Sequence, residues 1–220
     1  MVDAFARATY RRRCHITLAD GAVMSDDKTI AIYDAKASDY ADLVASDTPD
    51  KTLQSFIDLI PKGGRVLDLG CGPGTASAHM RDAGLIPDPI DASAGMIKIA
   101  NSKFGLNARL ATFDDISGRD IYAGVWANFS LLHAAREELP RHFTALYKAT
   151  QQSGIIHVGM KTGIGMARDA INRRYTYVSV AALAGLLTTA GYSINYTKEG
   201  EERGMAGTMD PFVIMRGKKD

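Results

Sequence analysis

The chain has 220 residues, with 26 lysines and arginines against 25 acidic residues and a formal net charge of +1. That length suits one domain with enough chain to bury a full core. The near-zero charge gives no bulk attraction for a polyanion, so no nucleic-acid partner is expected. No apolar run is long enough to cross a membrane. Only two cysteines occur, Cys14 and Cys71, which argues against a structural disulfide and for a reducing, cytoplasmic setting.

In chain order, residues 1–23 show no clear periodicity. Arg11-Arg12-Arg13 is not followed by the apolar core of a signal peptide, and Met24-Ser25-Asp26-Asp27-Lys28 reads like an ordinary protein start. A leader or disordered arm is therefore expected over 1–23, its arginine run a solvated tail. A single domain follows over 24–220, with a helical cap at 24–60 and the core at 61–220. Ile32, Tyr33, Ala37, Tyr40, Leu43 and Val44 have helical spacing over 30–46. A second helix, capped by Asp50 or Thr52, holds Leu53, Phe56, Ile57 and Ile60 and stops at Pro61-Lys62-Gly63-Gly64.

Strand one is expected over 65–69 and strand two over 87–91, with a helix over 76–83 between them that ends at Gly84. Ser93 caps a helix over 94–104, closed by Gly105. Strands at 108–113 and 122–127 precede a helical stretch from Leu131 to Tyr147, broken near Pro140. A fifth strand is expected at 155–160 and an amphipathic helix at 179–190. Strands at 193–197 and 211–215 have no helix between them, so they should pair as an antiparallel hairpin. The alternation gives an α/β fold with a mostly parallel sheet and helices on both faces.

The most informative stretch is Arg65-Val66-Leu67-Asp68-Leu69-Gly70-Cys71-Gly72-Pro73-Gly74-Thr75. A buried strand runs into a glycine turn and then a helix, so bare backbone and unpaired helix N–H groups converge on one spot. Asp91 ends the next strand near the ~20-residue offset at which an acid meets a ribose diol. The dinucleotide pattern G-x-G-x-x-G needs a glycine where Thr75 stands. Asp68, two places before Gly70, would repel a pyrophosphate and suit a ligand bearing an ammonium and a sulfonium.

The segments "VLDLGCGPGTAS" and "PIDASAGMIKIA" resemble motifs I and II of the class I S-adenosylmethionine-dependent methyltransferases. The resemblance runs from about Tyr33 to the C-terminus and is firmest over 65–161. It implies a Rossmann-like class I methyltransferase fold: a seven-stranded, mostly parallel sheet with an antiparallel C-terminal strand. S-adenosylmethionine is the implied cofactor and S-adenosylhomocysteine the product.

On this resemblance Asp68 holds the methionyl ammonium. Gly70, Cys71, Gly72 and Gly74 form the loop against the carboxylate and ribose, and Asp91 takes the ribose hydroxyls. Ala92 and Met96 pack on one face of the adenine. "ATFDDI" stands where many relatives read "GDAEDL", so Thr112 replaces the usual adenine-binding acid and the contact passes to the Phe113 backbone and Asp114. Tyr33 and Tyr40 lie on a helix that often folds over the cofactor. Core filling is the competing reading for both tyrosines and for Met96.

After strand four, Trp126-Ala127-Asn128-Phe129-Ser130-Leu131-Leu132-His133 supplies the catalytic candidates. Asn128 and Ser130 would hold the acceptor or line the sulfonium, and His133 titrates in the range of a general base. Lys161-Thr162-Gly163-Ile164-Gly165 is similar to a "K-x-G-x-G" segment found with "SLLH" in a bacterial methyltransferase group. Lys161, Arg168, Arg173 and Tyr175 would bind an anionic group on the acceptor, with a solvated basic loop as the alternative.

The chain lacks an Asn/Asp-Pro-Pro-Tyr signature, a cysteine pair at the site and any metal-chelating cluster visible in sequence, so no metal is expected. The expected partner is a small acceptor, methylated on O, N or S, with the protein a monomer or homodimer. Two rival readings remain: a catalytically silent S-adenosylmethionine-binding regulator, and a nucleotide-dependent oxidoreductase.

Overall fold

The computed structural model describes residues 26–220, so the expectation for 1–23 lies outside the described residues. The first four elements are α1 (Asp27–Ala35), α2 (Ala37–Leu43), α3 (Lys51–Ile57) and β1 (Arg65–Leu69). Then come α4 (Thr75–Asp82), β2 (Ile86–Asp91), α5 (Ala94–Phe104), β3 (Arg109–Leu110) and β4 (Tyr122–Asn128). The chain continues through α6 (Leu139–Ala149), β5 (Thr150–Lys161), β6 (Met166–Arg168) and β7 (Arg174–Thr176). It ends with α7 (Val180–Ala190), β8 (Tyr192–Arg203) and β9 (Met209–Lys219).

Seven strands form one sheet in the order β3-β2-β1-β4-β5-β9-β8. The first five run parallel, and β9 lies antiparallel between β5 and β8. The order reverses between β1 and β4, and an open α/β sheet places its ligand crevice beyond the strand ends at such a switch point.

Alternate residues of the central strands feed two cores. Leu67, Val125, Ile156 and Val158 pack with Phe143, Leu146, Leu183 and Leu187 of α6 and α7. Val66, Trp126 and Ile155 pack with Phe56, Ile57, Ile60 and Met80 on the α3 and α4 side. Both faces of the parallel strands are thus covered, which explains their near-continuous apolar runs.

The expected helix caps are present: Asp50 accepts from Thr52 and Leu53 N–H, Ser93 accepts from Met96 N–H, and Gly105 closes α5 in the left-handed region. The single helix expected over 30–46 is two, divided at Lys36. Between Leu131 and α6 lie two short 3₁₀ turns, Leu131–His133 and Arg136–Glu138, and Pro140 stands in the first turn of α6, where its missing N–H costs nothing. Strand β3 keeps only two residues, because the Thr112 hydroxyl and the Asp115 carboxylate close a capping box around the 3₁₀ turn Phe113–Asp115. The β6–β7 hairpin was not expected from the sequence. Its short strands pair only with each other.

Candidate active site

A cavity of about 360 Å³ opens at the switch point, between the carboxyl ends of β1, β2 and β4 and the cap formed by α1 and α2. Its floor is the glycine turn. Gly70 (φ +71°) and Gly72 (φ +54°) take left-handed conformations there. A Cβ on Gly70 would stand 2.5 Å from Ser130 Cβ, so the close approach of the two loops requires glycine. Gly74 (φ +87°) does different work. A Cβ there would strike Leu106 at 2.6 Å, and the residue packs the start of α4 on α5 rather than lining the cavity.

Asp68 and Asp91 both reach the cavity wall. Asp68 is 2% exposed and accepts a hydrogen bond from Ser77 Oγ at 2.7 Å. Burial, with the Asp91 charge adding to it, pushes its carboxyl up to about 7 against the Ser77 hydrogen bond. Asp91 accepts from Gly72 N–H at 2.9 Å and from Ser93 N–H at 2.8 Å, one on each carboxylate oxygen. These bonds aim the carboxylate and leave lone pairs on both oxygens. Burial raises its pKa, and the backbone N–H groups oppose the rise.

The cap is tied to this floor. Asp34 accepts from Ser93 Oγ at 2.6 Å and Gly95 N–H at 2.8 Å, which pins α1 over the start of α5. Tyr33 and Tyr40, edge to face at 5.8 Å, turn into the cavity. Arg173 donates to the Tyr33 hydroxyl at 2.8 Å, and that hydroxyl lies 3.0 Å from His133 Nε2. His133 Nδ1 lies 2.7 Å from the Arg174 carbonyl, which can only accept. The proton therefore sits on Nδ1, and Nε2 accepts from Tyr33. Burial lowers the His133 pKa to about 4, and the nearby Arg173 and Lys161 charges act the same way.

Three predicted residues at and just after the β4 end, Asn128, Ser130 and His133, meet Gly70 of the β1 turn at the cavity. Phe129 between them holds φ +56°, a strained value for a bulky residue that aims the loop across the sheet edge. The buried Ser130 Oγ has no hydrogen-bond partner among the described residues. His79 Nε2 on α4 is likewise unpartnered, and it lines the same cavity. Cys71, Gly72, Ala92, Met96 and Phe113 also line it.

Other predicted residues do not. Asp114 turns its carboxylate to Arg141, so the acid expected at the adenine is already paired and lies outside the cavity lining. Lys161 is bound to Asp210, Arg168 to Asp26 at 2.7 Å and Arg173 to Asp169 at 2.7 Å. Tyr175 is buried beneath Lys161, whose Nζ lies 4.0 Å from the ring centre. These four residues lie outside the lining; the Lys161 pair ties β5 to β9, the Arg168 pair ties β6 to the residue before α1, and the Arg173 pair closes the turn between β6 and β7. Asp26, against the burial that would raise it, is held at about 2 by hydrogen bonds from Arg168 and Thr29.

The cation that does line the cavity is Arg174, which the sequence reading passed over. It donates to the His133 carbonyl at 2.9 Å, its Nε has no partner, and it makes no ion pair among the described residues. A neighbouring group also escaped notice: Asp114, Glu138 and His142 bring ligand-type atoms within 4.8 Å of one another. Arg141 already bridges the two carboxylates. Sequence spacing gave no sign of it, because Asp114 comes from a separate loop.

A family of proteins described as "Methyltransferase domain" matches residues 66–154. None of the curated proteins matches the chain. Among solved structures, the 1,6-didemethyltoxoflavin-N1-methyltransferase of Burkholderia thailandensis, crystallised with S-adenosylhomocysteine, superposes with a TM-score of 0.68 at 16% identity, covering 88% of each chain. The magnesium protoporphyrin IX methyltransferase of Synechocystis, crystallised with S-adenosylmethionine, gives 0.67 at 19% identity over 89% of this chain and 98% of that one. A SAM-dependent methyltransferase from Methanosarcina mazei gives 0.66 at 16% over 78% and 98%. At these identities the structural likeness is one of fold.

Proposed function

We propose that the chain is a class I S-adenosylmethionine-dependent methyltransferase that methylates O, N or S of a small anionic acceptor by in-line displacement, a reading supported by the methyltransferase-domain match over residues 66–154 and by the fold. The single observation that carries the reading is the joining of the glycine turn, Asp68 and Asp91 at one cavity beneath two tyrosines. The cofactor supplies a methyl group already activated on a sulfonium.

The residues fit that molecule. Asp68 would hold the ammonium and the remaining lone pairs of Asp91 the ribose diol. The bare turn at Gly70 and Gly72 admits a close backbone approach, and the orphan hydroxyl of Ser130 offers a polar contact beside it. The aromatic faces of Tyr33, Tyr40 and Phe129 suit a cation.

The anionic character of the acceptor rests on Arg174. Lys161, Arg168 and Arg173, the cations first expected in that role, are each matched to a carboxylate. His133 supports a narrower chemistry than the sequence suggested. A base with its pKa near 4 takes a proton poorly, so the acceptor atom should carry a lone pair that is free near neutral pH or a proton it loses easily. Proximity and exclusion of water then do most of the work.

Titration with S-adenosylhomocysteine, followed by turnover of methyl-labelled S-adenosylmethionine with fractionated small metabolites, tests the proposal. Cofactor binding together with label appearing in an anionic product is expected. Tight binding of NAD in place of S-adenosylhomocysteine, or label only in neutral or cationic products, would overturn it.

A further inference from the structure

Behind Asn128, hydrogen bonds link His157, Arg216 and Ser55 in a chain of three polar side chains. Arg216 on β9 is 4% exposed, and its Nη2 donates to the Thr52 carbonyl at 2.9 Å and to Ser55 Oγ at 2.5 Å on α3. Its Nε donates to His157 Nδ1 at 3.3 Å. His157, on β5 and fully buried, lies with its Nε2 3.1 Å from Asn128 Oδ1. Trp126 stacks on the ring at 3.9 Å between centroids and 20° between planes, and Phe56 closes another side at 6.0 Å.

The donor inventory fixes the direction of this chain. A guanidinium N–H can only donate, so His157 Nδ1 must accept and the imidazole proton must sit on Nε2. That proton is given to the Asn128 oxygen. Gly159 leaves room for the arrangement, since a Cβ there would stand 2.6 Å from Asn128 Oδ1. The Asn128 amide nitrogen makes no hydrogen bond among the described residues, and the residue lines the cavity. Burial and the Arg216 charge hold His157 neutral, as an accepting Nδ1 requires.

We propose that Arg216 and His157 are positioning residues that lock the Asn128 amide with its N–H₂ toward the cavity, so that Asn128 binds an oxygen lone pair of the bound molecule and rejects a donor there. This rests on the cavity being the cofactor and acceptor site. The oxygen belongs either to the cofactor's carboxylate or to the acceptor; the chemistry is the same.

Nitrogen NMR of histidine-labelled protein reads the tautomer without any substitution. A neutral His157 with its proton on Nε2 is expected, and a proton on Nδ1 or a charged ring would overturn the proposal. Binding of S-adenosylhomocysteine and of its decarboxylated analogue is then measured by calorimetry for wild type, His157→Phe, Asn128→Ala and the double variant. If the oxygen is the cofactor's, His157→Phe and Asn128→Ala each weaken S-adenosylhomocysteine about fivefold to tenfold, the double variant is no worse than Asn128→Ala, and the analogue shows no such losses. If it is the acceptor's, binding is unchanged, while turnover with the metabolite pool falls by the same factor in both single variants and no further in the double.

Additive losses in the double variant, or full binding and turnover in both singles, would refute the relay. His157→Gln, which keeps a donor toward Asn128 and an acceptor toward Arg216, should restore function if His157→Phe folds poorly. Failure of wild type to bind S-adenosylhomocysteine would instead sink the assignment of the cavity.

Discussion

Ser77 Oγ donates to the Asp68 carboxylate at 2.7 Å, and this is the one side-chain hydrogen bond Asp68 receives among the described residues. One neutral hydroxyl does not offset full burial, and the carboxyl is pushed up to about 7. An arriving ammonium would stabilise the ionised form and pull the value down. Cofactor affinity should therefore be highest above pH 7 and weaken as pH falls below it, approaching tenfold per unit in the acid limb. Calorimetry near pH 6.5 in buffers of different ionisation enthalpy should show proton release on binding. Affinity independent of pH between 5.5 and 8 would contradict the ammonium contact.

The same burial has a stability counterpart. A carboxyl whose folded pKa lies above its unfolded value of 3.8 binds protons more tightly when folded. Its contribution to stability is present below that value and lost as pH rises through about 7. Asp68→Asn should thus raise the unfolding midpoint of the ligand-free protein at pH 8 while weakening cofactor binding by roughly 1–3 kcal/mol. Thermal unfolding and calorimetry on the same variant check both signs.

Asp91→Ala removes an acceptor from Gly72 N–H and from Ser93 N–H as well as the proposed ribose contact. A loss of about 1–3 kcal/mol in S-adenosylhomocysteine binding is expected, with a smaller fall in unfolding midpoint from the two orphaned donors. Unchanged affinity in calorimetry would remove Asp91 from the ribose site.

Gly70→Ala meets two obstacles, a left-handed φ of +71° and Ser130 Cβ at 2.5 Å. Binding should fall well beyond tenfold, since the strain alone costs about 1–2 kcal/mol. Adding Ser130→Gly relieves the clash but not the backbone strain, so it should recover part of the loss. No recovery would show that the clash contributes little.

The depressed His133 pKa, about 4, keeps the ring neutral from pH 5 to 8. A turnover profile should show no inflection near 6.5 that His133→Gln abolishes. Such an inflection would restore His133 as an ordinary titrating base.

The reach of the sequence follows from what each feature depends on. Strand, turn and helix at 65–82, with caps at Asp50, Ser93 and Gly105, were legible because local backbone chemistry dictates them. Asp68 and Asp91 were legible by spacing along two adjacent parallel strands. Arg174 was not, because its value lies in having no carboxylate partner among the described residues, and pattern cannot tell it from Arg173 one residue earlier. The β6–β7 hairpin was missed because its three-residue strands carry too little alternation and are held instead by ion pairs to distant residues such as Asp26. Asp114 was placed at the adenine by alignment of a loop, and Arg141, 27 residues away, claims it.

The chain has one tryptophan. Trp126 lines the cavity on one side and lies flat against His157 on the other. Its emission is an intrinsic gauge of occupancy, free of interference from any second indole, so wavelength shifts on ligand arrival can be followed in real time on unlabelled protein.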